Sequence, residues 1–278
     1  MFNFSDMRII NKTFVTGILT INSLAANAAL TSYSSNGVDL VYSSVSNVTW
    51  TKDGNLLGSM IANSSDANAN GTKDVIEAIL EASAGKSYGS TTEYYLDASS
   101  FESNGQTTWW GAHAFINYLN SINYAGNNQW RLPTVTAPVN DDCTTGYNGS
   151  TYCGYNVVTN GSAVGNEYAE LFNAESIGRP LLDKDGNYQF YAGIKDPGSL
   201  FDNEQSDAYS TGTEFASDPN YAYHFGTSAG NQYITAKGYR FFTWAITTGH
   251  ITTVPEPEST AMLFVGLGLI AFIARRRI

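Results

Sequence analysis

Residues 37–52 read G-V-D-L-V-Y-S-S-V-S-N-V-T-W-T-K. Val38, Leu40 and Tyr42 alternate with polar positions, and the stretch from Val45 to Thr51 is rich in β-branched residues. That pattern predicts two short strands around a Ser-rich turn. Asp53-Gly54-Asn55 then ends it. The next signals are helical. Val75, Ile76, Ile79 and Leu80 follow helical spacing over 74–83, with Gly85 as the expected C-cap. A second helix is predicted over 108–120, capped by Thr107 or Thr108, with Trp110, Phe115, Tyr118, Leu119 and Ile122 on one face. A third is predicted over 166–176, with Tyr168, Leu171 and Phe172 inward. Residues 86–106 are polar and irregular. Strands are expected at 188–195, 221–225 and 239–247, between Gly/Asn/Asp turns. Few helices among many short strands predict an α+β domain.

The chain ends carry their own signals. Met7, Arg8 and Lys12 precede an apolar run over 14–24, and Ala26-Asn27-Ala28 offers small residues for cleavage. This predicts a secretory signal peptide over residues 1–28. Residues 254–278 read V-P-E-P-E-S-T-A-M-L-F-V-G-L-G-L-I-A-F-I-A-R-R-R-I. A Pro-Glu-Pro hinge (Pro255, Glu256, Pro257) precedes an uncharged apolar run, closed by Arg275, Arg276 and Arg277. With Ser259 and Thr260 that run makes a helix of about 24 Å, short against roughly 30 Å of bilayer core. The arginines favour a cytoplasmic end. Between the two signals lies one expected domain, 29–253, with an insertion around 56–106.

Charge narrows the partners. The chain has 14 Lys and Arg against 25 Asp and Glu, and removing both end signals leaves 9 against 22. A strongly acidic surface disfavours nucleic acid and anionic lipid, and suits divalent cations. The two cysteines, Cys143 and Cys153, lie ten residues apart in a Gly/Asn/Tyr-rich loop. In an oxidising compartment that spacing predicts a local disulfide worth roughly 3 kcal/mol.

Chemical motifs are few. His113, His224 and His250 match no metal spacing, and there is no nucleophile elbow or phosphate-binding loop. Carboxylates abound, Glu167 and Glu170 among them, but a glycosidase pair is defined by spatial separation. One metal pattern fits. Asp66, Asn68, Asn70, Asp74 and Glu77 satisfy D-x-N-x-N-G with Glu at the twelfth position of an EF-hand loop, making Ca²⁺ the candidate cofactor. Lys73 stands where that loop has an aliphatic residue.

Two resemblances follow. The order hinge, apolar run and arginine cluster at 254–278 resembles the PEP-CTERM sorting signal of Gram-negative bacteria. It implies an exosortase-type membrane enzyme as partner, an inner-membrane-anchored precursor, and a final place in the cell envelope or outside it. Across 37–248, D-L-V-Y-x-x-V-x-N-V-T-W-T-K-D (39–53), T-T-W-W-G-A-H-A-F-I-N-Y-L-N (107–120), Q-W-R-L-P-T (129–134), N-E-Y-A-E-L-F (166–172), Y-S-T-G-T-E-F (209–215) and F-F-T-W-A-I (241–246) are similar to the C-terminal domain of bacterial collagen-like adhesins. That resemblance implies a C-type-lectin-like fold, and in the adhesins trimeric binding of sulfated polysaccharide. The acidic surface departs from that ligand class.

Candidate ligand contacts are Trp109, Trp110 and Arg131. Tryptophan stacks well on sugar rings, and two adjacent on one helix should leave at least one facing away from the core. Arg131, beside Trp130 and before Leu132-Pro133, is expected to anchor a loop on buried carbonyls or a carboxylate, with a direct ligand role as the alternative. The function expected is non-catalytic binding of extracellular polysaccharide or protein in the envelope, exopolysaccharide or biofilm. The alternatives are a secreted polysaccharide hydrolase and a structural matrix protein.

Overall fold

In the computed structural model, which describes residues 30–90, 94–137, 143, 145–146, 153–157, 166–195 and 200–252, the opening stretch forms both expected strands. They are β2 (Val38–Ser43) and β3 (Val48–Thr51), antiparallel, with Leu40 opposite Thr51 and Ser43 opposite Val48. An additional strand, β1 (Leu30–Ser35), precedes them. Its turn into β2 is Asn36-Gly37, with φ of 47° and 75°. Two positive-φ residues make the turn whose twist matches paired strands, and Asn-Gly is its strongest sequence signal.

The helical layer follows. It comprises α1 (Leu56–Ala62), α2 (Asp74–Ala82) and α3 (Trp109–Ser121). Asn55 caps α1 by accepting from the Gly58 N–H at 3.2 Å. Thr108 caps α3 by accepting from the Gly111 N–H at 3.2 Å. Helix α2 ends at Ser83 rather than Gly85, which follows in the left-handed region at φ 73°. Leu57, Ile79, Ala112, Phe115 and Leu119 bury completely against Leu40 of β2. Residues 56–106, read as an insertion, therefore fill part of the same core. Of the face expected on α3, Phe115 and Leu119 are buried, whereas Ile122 is 46 % exposed just beyond the helix end.

Beyond α3 come β4 (Thr145–Gly146), β5 (Cys153–Tyr155), a helical turn α4 (Glu167–Ala169), β6 (Gly178–Arg179) and β7 (Gly193–Ile194). Then follow β8 (Ala208–Glu214), β9 (Tyr221–Gly226), β10 (Asn231–Ala236) and β11 (Ile246–Thr248). One sheet runs β1-β2-β3-β11, a second runs β4-β5-β10-β9-β8, and β6 pairs with β7. All pairings are antiparallel except β4 with β5. The domain is α+β, with few helices and many short strands, as its patterns predict. The expected strands at 188–195 and 239–247 shrink to the two residues of β7 and the three of β11. Phe241 and Phe242 instead make single bridges to Thr107 and Tyr209.

An aromatic core joins the two sheets. Trp50 and Trp244 are both fully buried, their rings 5.2 Å apart edge to face. Tyr168, Phe172, Tyr209 and Phe225 complete it. Cys143 and Cys153 are disulfide-bonded as expected, their Cα atoms 5.3 Å apart. No helix among the described residues is long and apolar enough to cross a membrane. The predicted signal peptide at 1–28 and the tail residues Pro255, Glu256, Pro257, Arg275, Arg276 and Arg277 lie outside the described residues.

Candidate functional site

The expected ligand contacts fall inside the fold. Trp109 and Trp110 are 4 % and 7 % exposed, so neither turns to solvent. The reason is tertiary. The first turn of α3 is covered on one side by β8 and β9, and on another by Tyr88 and Tyr94. Trp109 donates its indole N–H to the Thr211 carbonyl at 2.8 Å, and the Lys237 ammonium stands 4.2 Å above its ring. Lys237 is itself buried and ion-paired with Glu214. These tryptophans are structural cores rather than stacking platforms.

Arg131 anchors its loop, as read from the sequence. Its Nη2 donates to Glu167 Oε1 at 2.6 Å, and its Nη1 to the Leu132 carbonyl at 3.1 Å. Glu167 is fully buried and also accepts from the Thr134 N–H at 2.8 Å and hydroxyl at 3.2 Å. The other end of the motif is fastened to α3, where Asn120 exchanges two hydrogen bonds with the Trp130 backbone, at 2.6 and 2.9 Å. A cleft of about 320 Å³ opens beside Arg131, lined by Tyr88, His113, Asn117 and Thr134 among others. Burial, then the nearby Lys237 charge, lowers the His113 pKa to about 4. The imidazole is therefore neutral at neutral pH.

The Asp66 loop closes on itself. Asp66 accepts from the backbone N–H groups of Asn70 and Gly71 at 3.1 and 2.9 Å. Asn68 and Asn70 donate their amides to Glu77, and Asp74 accepts from Ser65 and the Ala67 N–H. Positions 1, 3, 5 and 12 of the calcium pattern thus meet, but with amide nitrogens rather than oxygens facing Glu77. Among the described residues no group of three or more His, Cys, Asp or Glu is placed to hold a metal ion. Calcium as the ligand is tested by thermal unfolding. If the loop binds Ca²⁺, millimolar Ca²⁺ should raise the wild-type melting temperature and Asp66→Ala and Glu77→Ala should each remove the rise, because a ligand stabilises only the state that binds it. A wild type indifferent to Ca²⁺ marks the loop as self-satisfied.

Another exposed feature lies elsewhere, on the hairpin 178–194. Its tip is the turn Asp183-x-Asp185-Gly186-Asn187, in which the Asp183 carboxylate accepts from the Asp185 and Asn187 N–H groups. The N–H of Asn187, with others of the turn, holds the Asp183 carboxyl below the usual carboxylate range. Leu182 bridges Tyr188 across the hairpin. Gln189 points inward, its N–H to Leu181 and its amide to Pro180. Tyr188 and Phe190, on either side of it in the chain, turn outward. Tyr188, Phe190 and Tyr191 are 79 %, 86 % and 91 % exposed. Tyr191 sits at φ 58°, a left-handed conformation uncommon for a bulky residue. Burial, then the phenols of Tyr233 and Tyr188, raises the Tyr155 pKa.

A cleft of about 380 Å³ opens on the side of the hairpin that Gln189 enters. Asn156, Asn173, Asp183, Lys184 and Gln189 supply its polar lining, with Gly178 and Pro180. Gly178 is required there, since a Cβ at that position would overlap the Phe172 ring. Residues 170–174 form a wide π-turn after α4, closed by the Glu175 N–H on the Glu170 carbonyl at 3.0 Å. The turn sends Leu171 and Phe172 into the core, each 1 % exposed, and leaves Asn173 lining the cleft. Such turns recur at functional sites. Both polar atoms of the Asn173 carboxamide are buried without a partner. Each unsatisfied group of that kind costs about 1–3 kcal/mol. The sequence offered one signal for this site, three aromatics within four residues after a tight turn; burial and cleft geometry were not legible in it.

Residues 253–277 match the family description of the PEP-CTERM protein-sorting motif. No curated protein matches the chain, and no solved structure matches its fold.

Proposed function

We propose, starting from that sorting motif, that this chain is an exported envelope protein whose folded domain binds extracellular polysaccharide without chemistry on it. The motif implies export, a membrane-anchored precursor and an exosortase as processing partner. The binding reading extends this and includes a lectin-like role for the α+β domain. The observation that carries it is the exposure of Tyr188, Phe190 and Tyr191 together on a hairpin whose Asp183, Lys184 and Gln189 line an amide-rich cleft. Leaving a Phe-sized side chain in water forgoes about 1.5–3 kcal/mol of burial. Contiguous exposure of several such rings marks a contact surface.

A sugar fits that surface better than a flat protein face. Pyranose rings carry apolar C–H faces for aromatic stacking and hydroxyl edges for amides. The acidic chain, with net charge −11, favours neutral or basic glycans over sulfated ones. The cleft also offers no pair of free carboxylates among its described lining residues, because Asp183 is its one acid and is held by its own turn. A glycan array with the full-length protein tests the reading. Each ring is worth about 1 kcal/mol, so the triple variant Tyr188→Ala/Phe190→Ala/Tyr191→Ala should lose on the order of 100-fold in affinity. Undiminished retention on the array refutes the site. Release of new reducing ends from a bound glycan establishes the hydrolase alternative instead.

A further inference from the structure

The exposed rings share their hairpin with cations. Tyr188, Phe190 and Tyr191 stand in water, and Arg179 donates from Nη1 to the Phe190 carbonyl at 3.1 Å, which sets a guanidinium beside them. Residues 178–195 hold three basic side chains against two acidic, a local net of +1 on a chain of −11. Tyrosine, apolar in its ring and polar at its tip, is enriched where membrane meets water. The hairpin also stands at the end of the fold where the chain leaves it. Gly249, one residue past β11, donates its N–H to the Asn47 carbonyl at 2.8 Å, in the turn between β2 and β3. At the start of that turn, Ser43 neighbours the Glu175 carboxyl, three residues before the hairpin. Beyond Thr252, six residues, 253–258, precede the segment 259–274 read as a membrane helix. Fully extended, they span about 20 Å.

We propose that, in the membrane-anchored precursor, this hairpin docks on the bilayer itself, its partner being a zwitterionic phospholipid surface. The inference rests on the anchored precursor that the sorting motif implies, and not on the glycan reading. The three rings enter the interface, and Arg179 meets a headgroup phosphate. The tether supplies the affinity. A short linker holds the hairpin at millimolar effective concentration over the lipid, so a contact too weak to retain the released domain is enough in the precursor. The acidic remainder of the domain is repelled by anionic lipid, which is why the surface is a zwitterionic one. Removal of the tail then frees the rings. The aromatic face is covered before processing and open after it.

Tryptophan fluorescence of full-length Phe190→Trp tests this, in phosphatidylcholine vesicles with and without brominated acyl chains. Position 190 is 86 % exposed, so the substitution leaves the fold intact, and the five native tryptophans are at most 7 % exposed. The difference from wild type therefore reports position 190. The added indole should emit at shorter wavelength than an indole in water, and brominated lipid should quench its emission about twofold or more. On the same background, Tyr188→Ala/Tyr191→Ala should remove most of that quenching. Undiminished quenching would assign the contact to the tether alone and overturn the hairpin as the docking element. Co-flotation of the protein with the vesicles reads the anchor separately. A protein that floats while position 190 stays water-like and unquenched overturns the docking and leaves the anchored precursor standing. One that does not float overturns both. The glycan array is independent of either result.

Discussion

Arg131→Met is expected to destabilise the domain by about 3–5 kcal/mol, the range for removing one partner of a buried ion pair. The partner left behind is Glu167, which is fully buried and loses its 2.6 Å contact with the guanidinium. Thr134 still supplies two hydrogen bonds, but neither neutralises the charge. Methionine keeps most of the apolar stem of the side chain, so the effect measured is mainly the loss of the guanidinium. A loss of this size is a large share of the roughly 5–15 kcal/mol that holds a typical domain together. Urea denaturation followed by circular dichroism reads it as a lower midpoint at unchanged slope. Glu167→Gln should cost less, because the Arg131 side chain is one-third exposed and can turn to water. The double variant Arg131→Met/Glu167→Gln should recover much of the single loss, since no charge is then stranded. Additive losses would show that the two residues do not act as a pair.

The second large effect concerns the tail and is all-or-none in location. A chain ending at Val254 lacks both the apolar run and the three arginines, so it should leave the membrane fraction entirely. Replacing Pro255, Glu256 and Pro257 with alanine should do the opposite. The apolar run and the arginine stop remain, so the protein still reaches the membrane, but it stays there at its precursor mass. The run is barely long enough to span, and retention therefore depends on the arginines resisting translocation. Fractionation with immunoblotting, in a host that carries the sorting enzyme, separates the two variants. Processing of the alanine variant at the wild-type rate would make the tail an ordinary anchor and the motif match incidental.

Local pattern was enough for the helices at Asp74–Ala82 and Trp109–Ser121, and for the strands at Val38–Ser43 and Val48–Thr51. In each the periodicity and the cap lie within one element. Strand β1 is marked in the sequence only by Asn36-Gly37, because most of its positions are polar and carry no apolar alternation. Strand β8 carries Ser, Thr and Gly at its centre. It is a strand because Tyr209 and Ser210 pair with β9, and because Tyr209 fills the aromatic core. No window along its own sequence contains that reason. The role of Arg131 was readable as an anchor, but the identity of its partner was not, because Glu167 lies 36 residues away.

The sequence alone determined what is written in contiguous residues: the sorting tail, the α+β class and the cysteine pair. A sorting motif is defined by neighbouring residues, and ten-residue loop closure depends mainly on chain separation. Only the tertiary structure decided which aromatics face water. Trp109 looks like a sugar platform until Thr211 and Lys237, more than one hundred residues on, cover it, and Trp110 until Tyr94 packs against its ring. Tyr188, Phe190 and Tyr191 look like a core strand until Gln189 is seen turned inward and all three rings outward. Burial is a property of what other segments bring to a residue, and hydrophobicity carries no record of it.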